Sequence, residues 1–251
     1  VDRIDISSGV NYAIEGEAYG VFRGTYYARD DEGNLLINPE TGKVIFSDAL
    51  GLEDKILGDP NEDWRWTNVN TFSYKNITLS MQWDYIHGGD IWSRSASNLL
   101  RRGVTRDTEN REGSYILPGV LGDPNTGEPI LDANGDKIAN TIQIGANDLY
   151  FINLMDVDEG IIYDASVIRL RDISLSYNIP GKLLDKTPFG SGSLTFSGNN
   201  LWYRAPNLPK YMNLDPEVLG PGADNPTNGK GLDFQNDPSY KQYSLGVKLT
   251  F

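Results

Sequence analysis

The chain has no cysteine and, in 251 residues, a single histidine, His87. The first absence removes thiolate nucleophiles, cysteine-bound zinc and disulfide cross-links. The second leaves little for acid–base work near neutral pH. Positive charge is also short: 22 Lys and Arg against 35 Asp and Glu give a net charge of -13, the wrong sign for displacing counterions from nucleic acid. No apolar stretch approaches the ~18 residues of a membrane-crossing helix. A helical membrane protein is therefore excluded, whereas a β-barrel, which needs only alternate residues apolar, is not. Val1-Asp2-Arg3-Ile4 has neither the basic start nor the apolar core of a secretory signal, so export implies a processed piece or an internal part of a longer chain. At 39% hydrophobic residues, with mean hydropathy -0.43, a large dry core is not expected.

What is present is alternation. Tyr243, Leu245, Val247, Leu249 and Phe251 share one face of a strand, and Ser244, Gly246, Lys248 and Thr250 the other, as in a strand between lipid and a wet lumen. Ile77, Leu79, Met81, Trp83 and Tyr85 alternate in the same way with Thr78, Ser80, Gln82 and Asp84. Upstream, Trp64, Trp66, Phe72 and Tyr74 keep one phase, interrupted by Asn68 and Asn70, and only Lys75-Asn76 links the two runs, as in a tight hairpin. Two further runs are Ile173, Leu175, Tyr177 and Ile179, and Leu194, Phe196 and Trp202. Ile168 and Leu170 lie out of phase with Ile173 and Leu175. Either a bulge near Arg171-Asp172 resets the phase or Arg169 and Arg171 face lipid, which costs ~2–4 kcal/mol each near the midplane. The bulge is the cheaper arrangement.

These runs define an all-β chain with strands over 64–74, 77–86, 165–179, 193–203 and 239–251. Short links alternate with long connections at 87–164 and 204–238, the spacing of an outer-membrane barrel with short periplasmic turns and long extracellular loops. Residues 1–63 read as a further extracellular loop region with short hairpins. With the long connections outside, the last strand runs inward and leaves Phe251 on the periplasmic side.

Asp63-Trp64-Arg65-Trp66, Phe72-Ser73-Tyr74-Lys75-Asn76 and His87-Gly88-Gly89-Asp90-Ile91-Trp92 resemble segments of SusC/RagA-type TonB-linked outer-membrane proteins. So do the run from Ala165 to Pro180, Gly198-Asn199-Asn200-Leu201-Trp202 and Leu214-Asp215-Pro216-Glu217-Val218, in the order of the C-terminal part of that family's barrel. Tyr19-Gly20-Val21-Phe22-Arg23-Gly24 adds an upstream match, and Asn68 departs from the family's usual apolar residue. The resemblance implies the C-terminal strands of a 22-stranded barrel with a plug, in a bacterial outer membrane. It also implies TonB-driven import of oligosaccharides or peptides, TonB acting through the rest of the protein, and a SusD-like surface lipoprotein as lid. The remaining partners are the rest of the barrel and membrane lipid, with no cofactor and no enzymatic activity. By the same resemblance, Tyr243, Leu245, Val247, Leu249 and Phe251 form the strand that the assembly machinery reads.

Candidate contacts to substrate or lid are Trp92, Tyr203, Tyr211, Asp215 and Glu217; packing of loop on loop is the other explanation of the aromatics. Trp64, Trp66, Tyr74, Trp83 and Tyr85 fit an interfacial girdle better than sugar platforms. Asp132, Asn134 and Asp136 have oxygens at the alternate positions of a calcium loop, but Gly does not follow Asp136 and Gln143 replaces the bidentate Glu. Turns fit that stretch, and the similar Asn38-Pro39-Glu40-Thr41-Gly42 and Asp123-Pro124-Asn125-Thr126-Gly127, better. Carboxylate pairs such as Asp215 with Glu217 could imitate a glycosidase, although their separation cannot be read from sequence. The rival from another class is a soluble or surface β-sandwich that binds glycans, with the same alternation and loop aromatics.

Overall fold

In the computed structural model, residues 2–7, 9–153, 156–212, 214–217, 229–234 and 239–251 are described. Five long strands form one antiparallel meander: β1 (Glu62–Tyr74), β2 (Ile77–Gly88), β3 (Val167–Asn178), β4 (Ser191–Arg204) and β5 (Gln242–Thr250). Spatial order follows chain order, with β1 and β5 at the two edges. The described residues close no barrel, and five strands fall short of the ~8 that the smallest barrels need.

Register turns the alternation into two different faces. Phe72, Leu79, Leu175, Phe196 and Leu245 make a continuous row across all five strands, followed by Tyr74, Ile77, Tyr177, Leu194 and Val247. These side chains are bare: Phe72 is 57% exposed, Phe196 53% and Leu245 76%. No second sheet covers them among the described residues, as a β-sandwich would require. The opposite face carries a hydroxyl row, Thr71, Ser80, Ser174, Ser197 and Ser244. Thr71 bonds Ser80 at 3.3 Å, Ser73 bonds Thr78 at 3.1 Å, and Ser176 bonds Thr195 at 2.9 Å.

Trp64, Trp66, Trp83, Tyr85 and Trp202 crowd one end of the apolar face, with Trp64 edge-on to Tyr85 at 5.0 Å and Trp83 to Trp202 at 6.0 Å. Tyr74 and Tyr177 mark the other end. From Trp64 to Tyr74 the strand runs ~34 Å at ~3.4 Å per residue, and a tilt of ~40° reduces that to ~26 Å, about the height of a barrel's apolar band. Asn68 and Asn70 lie within this band opposite Trp83 and Met81, where Asn70 donates its amide to Asn68. That bond lowers the cost of two polar side chains on the apolar face.

The bulge falls at Arg171. Leu170 pairs with Trp83 and Asp172 with the very next residue, Gln82. The extra residue puts Ile168 and Leu170 on the same apolar face as Ile173 and Leu175, and leaves Arg169 and Arg171 on the polar one.

The long connections are not independent loops. Phe22, Trp92, Leu100, Ile161 and Leu232 share one buried cluster with Val10, so the stretch before β1 and those flanking β3 and β4 contribute to a common core. A second cluster gathers Tyr27, Ile37, Val44, Leu117, Ile144, Leu149 and Val157, and a third Ala28, Leu36 and Ile45. A four-stranded sheet (Arg3–Ser7, Asn11–Ile14, Val21–Gly24, Lys55–Gly58) lies in this body. So does a three-stranded one in which Asp90–Ser93 sits between Ile162–Asp164 and Leu232–Asp233. Ser93 caps helix α1 (Arg94–Arg101) and donates to Asp233 at 2.6 Å.

Tight turns held by side-chain oxygens punctuate the body. Asn38 accepts from the Glu40 amide at 2.8 Å, Asp123 from Asn125 at 2.8 Å, and Asp132 from both Asn134 at 2.8 Å and Asp136 at 2.9 Å. Asp132 Oδ1 thus closes its own turn. Asp30 builds a fourth such turn, accepting from the Asn34 amide at 2.8 Å while Lys137 donates to it at 2.8 Å.

Two outcomes follow. Replacing Leu79 or Leu245 by Arg should cut the amount of assembled protein in the membrane, at ~2–4 kcal/mol near the midplane, while Ser80→Arg or Ser244→Arg should be tolerated. Surface labelling counts assembled copies, and equal damage from both faces would contradict the assignment of faces. Second, the Lys137 ammonium and the Asn34 amide hold the Asp30 carboxyl well below the usual carboxylate range. A depressed folded value stabilises above the unfolded value of ~3.9 and is lost as pH falls through and below it. Protection of the Asn34 amide, its exchange rate set against the intrinsic rate at each pH, should fall on acidification from pH 5 to pH 3, and Asp30→Asn should remove that dependence; an unchanged acid response in the variant would refute the linkage.

Candidate functional site

The polar face of β1–β3 ends, toward the folded body, in a cluster of opposite charges. Arg169 is almost fully buried, with 2% of its side chain exposed, and forms a two-pronged pair with the equally buried Asp215. Its other contact is Glu217 at 2.9 Å. Arg171 grips Glu217 through both terminal nitrogens, at 2.7 and 2.6 Å, and donates Nε to Asp84 at 2.7 Å. Gln82 completes the second Asp84 oxygen at 3.2 Å. Residues 214–217 are thereby docked on the wall by planar, charge-assisted bonds, a geometry guanidinium provides and ammonium does not.

Beside the cluster lies an open cavity of about 440 Å³ lined by Pro60, Asn61, Glu62, Arg65, Gly229, Lys230 and Gly231. A smaller one of about 110 Å³, lined partly by Glu62, Arg65, Pro216 and Glu217, adjoins it. Glu62 orients Arg65 with bonds of 3.1 and 2.8 Å, and Lys230 donates to the Asn61 side-chain oxygen Oδ1 at 3.0 Å. Only glycine suits position 231: its φ is +66°, and an added Cβ would meet the Asp90 carbonyl at 2.7 Å.

The residues singled out from sequence fall in different places. Trp92 is core, packed on Phe234 with ring centroids 5.2 Å apart and donating Nε1 to Asp158 at 3.1 Å; for this residue packing is the explanation. Tyr203 lies under the Arg169 guanidinium at 5.8 Å. Tyr211 is exposed, flanked by Arg106 at 5.1 Å and Lys210 at 5.0 Å. Asp215 and Glu217 meet in the charge cluster, engaged by arginines instead of facing each other across a cleft. Val218 lies outside the described residues. Tyr243, Leu245, Val247 and Leu249 line the apolar face of edge strand β5, and Phe251 contacts Phe189 at 5.1 Å. Asp132, Asn134 and Asp136 are far in fold terms from this cluster, in a turn of the body.

Arg65, Asp84, Arg169 and Arg171 escaped the reading of the sequence as a site. One signal was available: Arg169 and Arg171 have the same two-residue spacing as Asp215 and Glu217, the spacing that lets two pairs form side by side.

No family model matches the chain. In sequence it is 24% identical over 253 aligned residues to TonB-dependent receptor P3 of Formosa agariphila, covering 94% of this chain and 22% of that protein. It is 26% identical over 281 aligned residues to TonB-dependent receptor P26 of the same organism, covering all of this chain and 25% of that one. The chain thus spans about a quarter of the length of the curated relatives it matches. In fold it is similar to the RagAB peptide importer in the open-open state, with a TM-score of 0.60 at 17% identity, over 100% of this chain and 24% of the other. The closed-closed state gives 0.57 at 17% identity over 25% of that chain. The chain is thus similar in sequence to part of two TonB-dependent receptors and in fold to part of the RagAB peptide importer.

Removing one partner of the buried pair should undock residues 214–217. Asp215→Ala takes away the two-pronged partner of the buried Arg169, leaving it Glu217 alone, and is expected to cost up to ~3–5 kcal/mol of local stability. Glu217→Gln, at a partly exposed position, should cost ~1 kcal/mol or less. Protease accessibility of residues 205–217 in the complete protein reads both, and equal effects would mean that the buried pair is not the main anchor.

Proposed function

We propose that the chain is the C-terminal barrel part of a TonB-dependent outer-membrane importer of oligosaccharides or peptides that works with a SusD-like lipoprotein. One observation carries the reading: an apolar face left bare across five strands, backed by a face lined with hydroxyls and ending in charge. Such a sheet satisfies its backbone in hydrocarbon while keeping a wet path beside it. Its free edges call for the remainder of a 22-stranded wall, because an unpaired edge in lipid costs several kcal/mol per polar group.

In this reading the cored body and residues 204–238 lie outside the cell, since long connections are external. There they support the lid lipoprotein, with exposed Tyr211 offered to lid or substrate. Asp215 and Glu217 act by holding their segment against the lumen wall. β5 runs inward, and Tyr243, Leu245, Val247, Leu249 and Phe251 present the outward face that the assembly machinery reads. Transport proceeds by binding and release, with no covalent step assigned to any residue; the relatives are named receptors and an importer.

The complete receptor in its own cell provides the test. Substrate accumulation should stop when the proton gradient that energises TonB is collapsed, while binding at the surface persists, and the lipoprotein should co-purify. Uptake indifferent to the gradient would overturn the importer reading.

A further inference from the structure

We infer that the cavity between Arg65 and Lys230 captures the C-terminal carboxylate of a peptide, an inference that rests on the importer reading above. Arg65 follows Trp64 and precedes Trp66 on β1, so its side chain leaves from the polar face, the one that becomes the lumen. The cavity's size, about 440 Å³, suits one or two residues of an extended ligand.

Its chemistry favours an anion. Lys230 donates to a neutral amide oxygen and stands in no ion pair among the described residues, leaving donors for an incoming group. Arg65 spends Nε and Nη2 on Glu62, while its Nη1 is 3.9 Å from the nearest Glu217 oxygen, beyond a hydrogen bond. Two cations with unused donors thus flank a single lining carboxylate among the described residues, in a chain whose net charge is -13.

The lining also discriminates between ligand classes. Among the described residues it includes no aromatic ring on which the C–H face of a sugar could rest. It offers instead Pro60 and the main chain of Gly229 and Gly231, against which an extended peptide backbone can lie, with its terminal carboxylate on the two cations. The Glu62 carboxylate is turned onto Arg65, which orients the guanidinium before ligand arrives.

The complete receptor, purified in detergent, is titrated calorimetrically with N-acetylated penta-alanine bearing a free carboxylate, with its C-terminal amide, and with an oligogalacturonate. The free acid should bind about tenfold tighter than the amide, the size of one hydrogen bond to a charged group. Lys230→Gln and Arg65→Gln should each lower the acid's affinity to the amide's and leave the amide unchanged. Lys230→Gln removes no ion pair, so it reports even where Arg65→Gln loosens Glu217. Equal affinity for acid and amide, including no binding of either, overturns the inference, as does a preference that survives in both variants. If oligogalacturonate alone depends on Arg65 and Lys230, the peptide assignment falls. Gradient-driven uptake measured alongside separates the two levels: intact uptake without acid preference removes the subsite only, whereas gradient-independent uptake removes the importer reading.

Discussion

A pleated strand sends successive side chains to opposite faces, and β3 obeys that rule only because one extra residue at Arg171 lets it change phase. Without the extra residue, either Ile168 and Leu170 or Ile173 and Leu175 would turn from the apolar face to the polar one. With it, four apolar side chains share one face while Arg169 and Arg171 emerge together on the other, at the height of Asp84. The docking of Asp215 and Glu217 depends on that coincidence, and so does the position of residues 214–217 beside the cavity. A local irregularity in the ladder therefore decides both the continuity of the apolar face and the charge of the polar one.

The wall was legible in the sequence because its signal is local: period two over stretches such as Ile77 to Tyr85 needs no knowledge of partners. The body was not legible for the opposite reason. Phe22, Trp92 and Leu232 come from three stretches far apart in the chain, each with too few apolar neighbours to show a period, and only their meeting makes a core. Trp92 looked like a ligand contact because nothing in a membrane accounted for it; a buried core does. The charge cluster was half legible. Asp215 and Glu217 stood out, but their arginines could be assigned a face only after the bulge had been located.

Much of the acidity that dominates the composition is structural. Asp30, Asp123 and Asp132 hold turns by accepting backbone amides. Asp158 bonds Thr25 and Trp92, and Asp233 bonds Ser93 and Ser95. Such carboxylates act one turn at a time, and they serve as acceptors where a body built of short elements has many unpaired amides.

β2 and β3 are neighbours in the sheet although residues 89–166 separate them. At the base of that excursion Asp90 pairs with Asp164, the Ala165 amide donates to Gly89 at 2.8 Å, and the Gly88 amide donates to Ser166 at 2.9 Å. The folded body therefore delivers the two strand ends side by side. Closing a flexible excursion of ~78 residues would cost on the order of 4 kcal/mol in chain entropy, and here the body's own buried core offsets that loss. An eighty-residue detour thus joins two strands of the wall with the end-to-end geometry of a short turn.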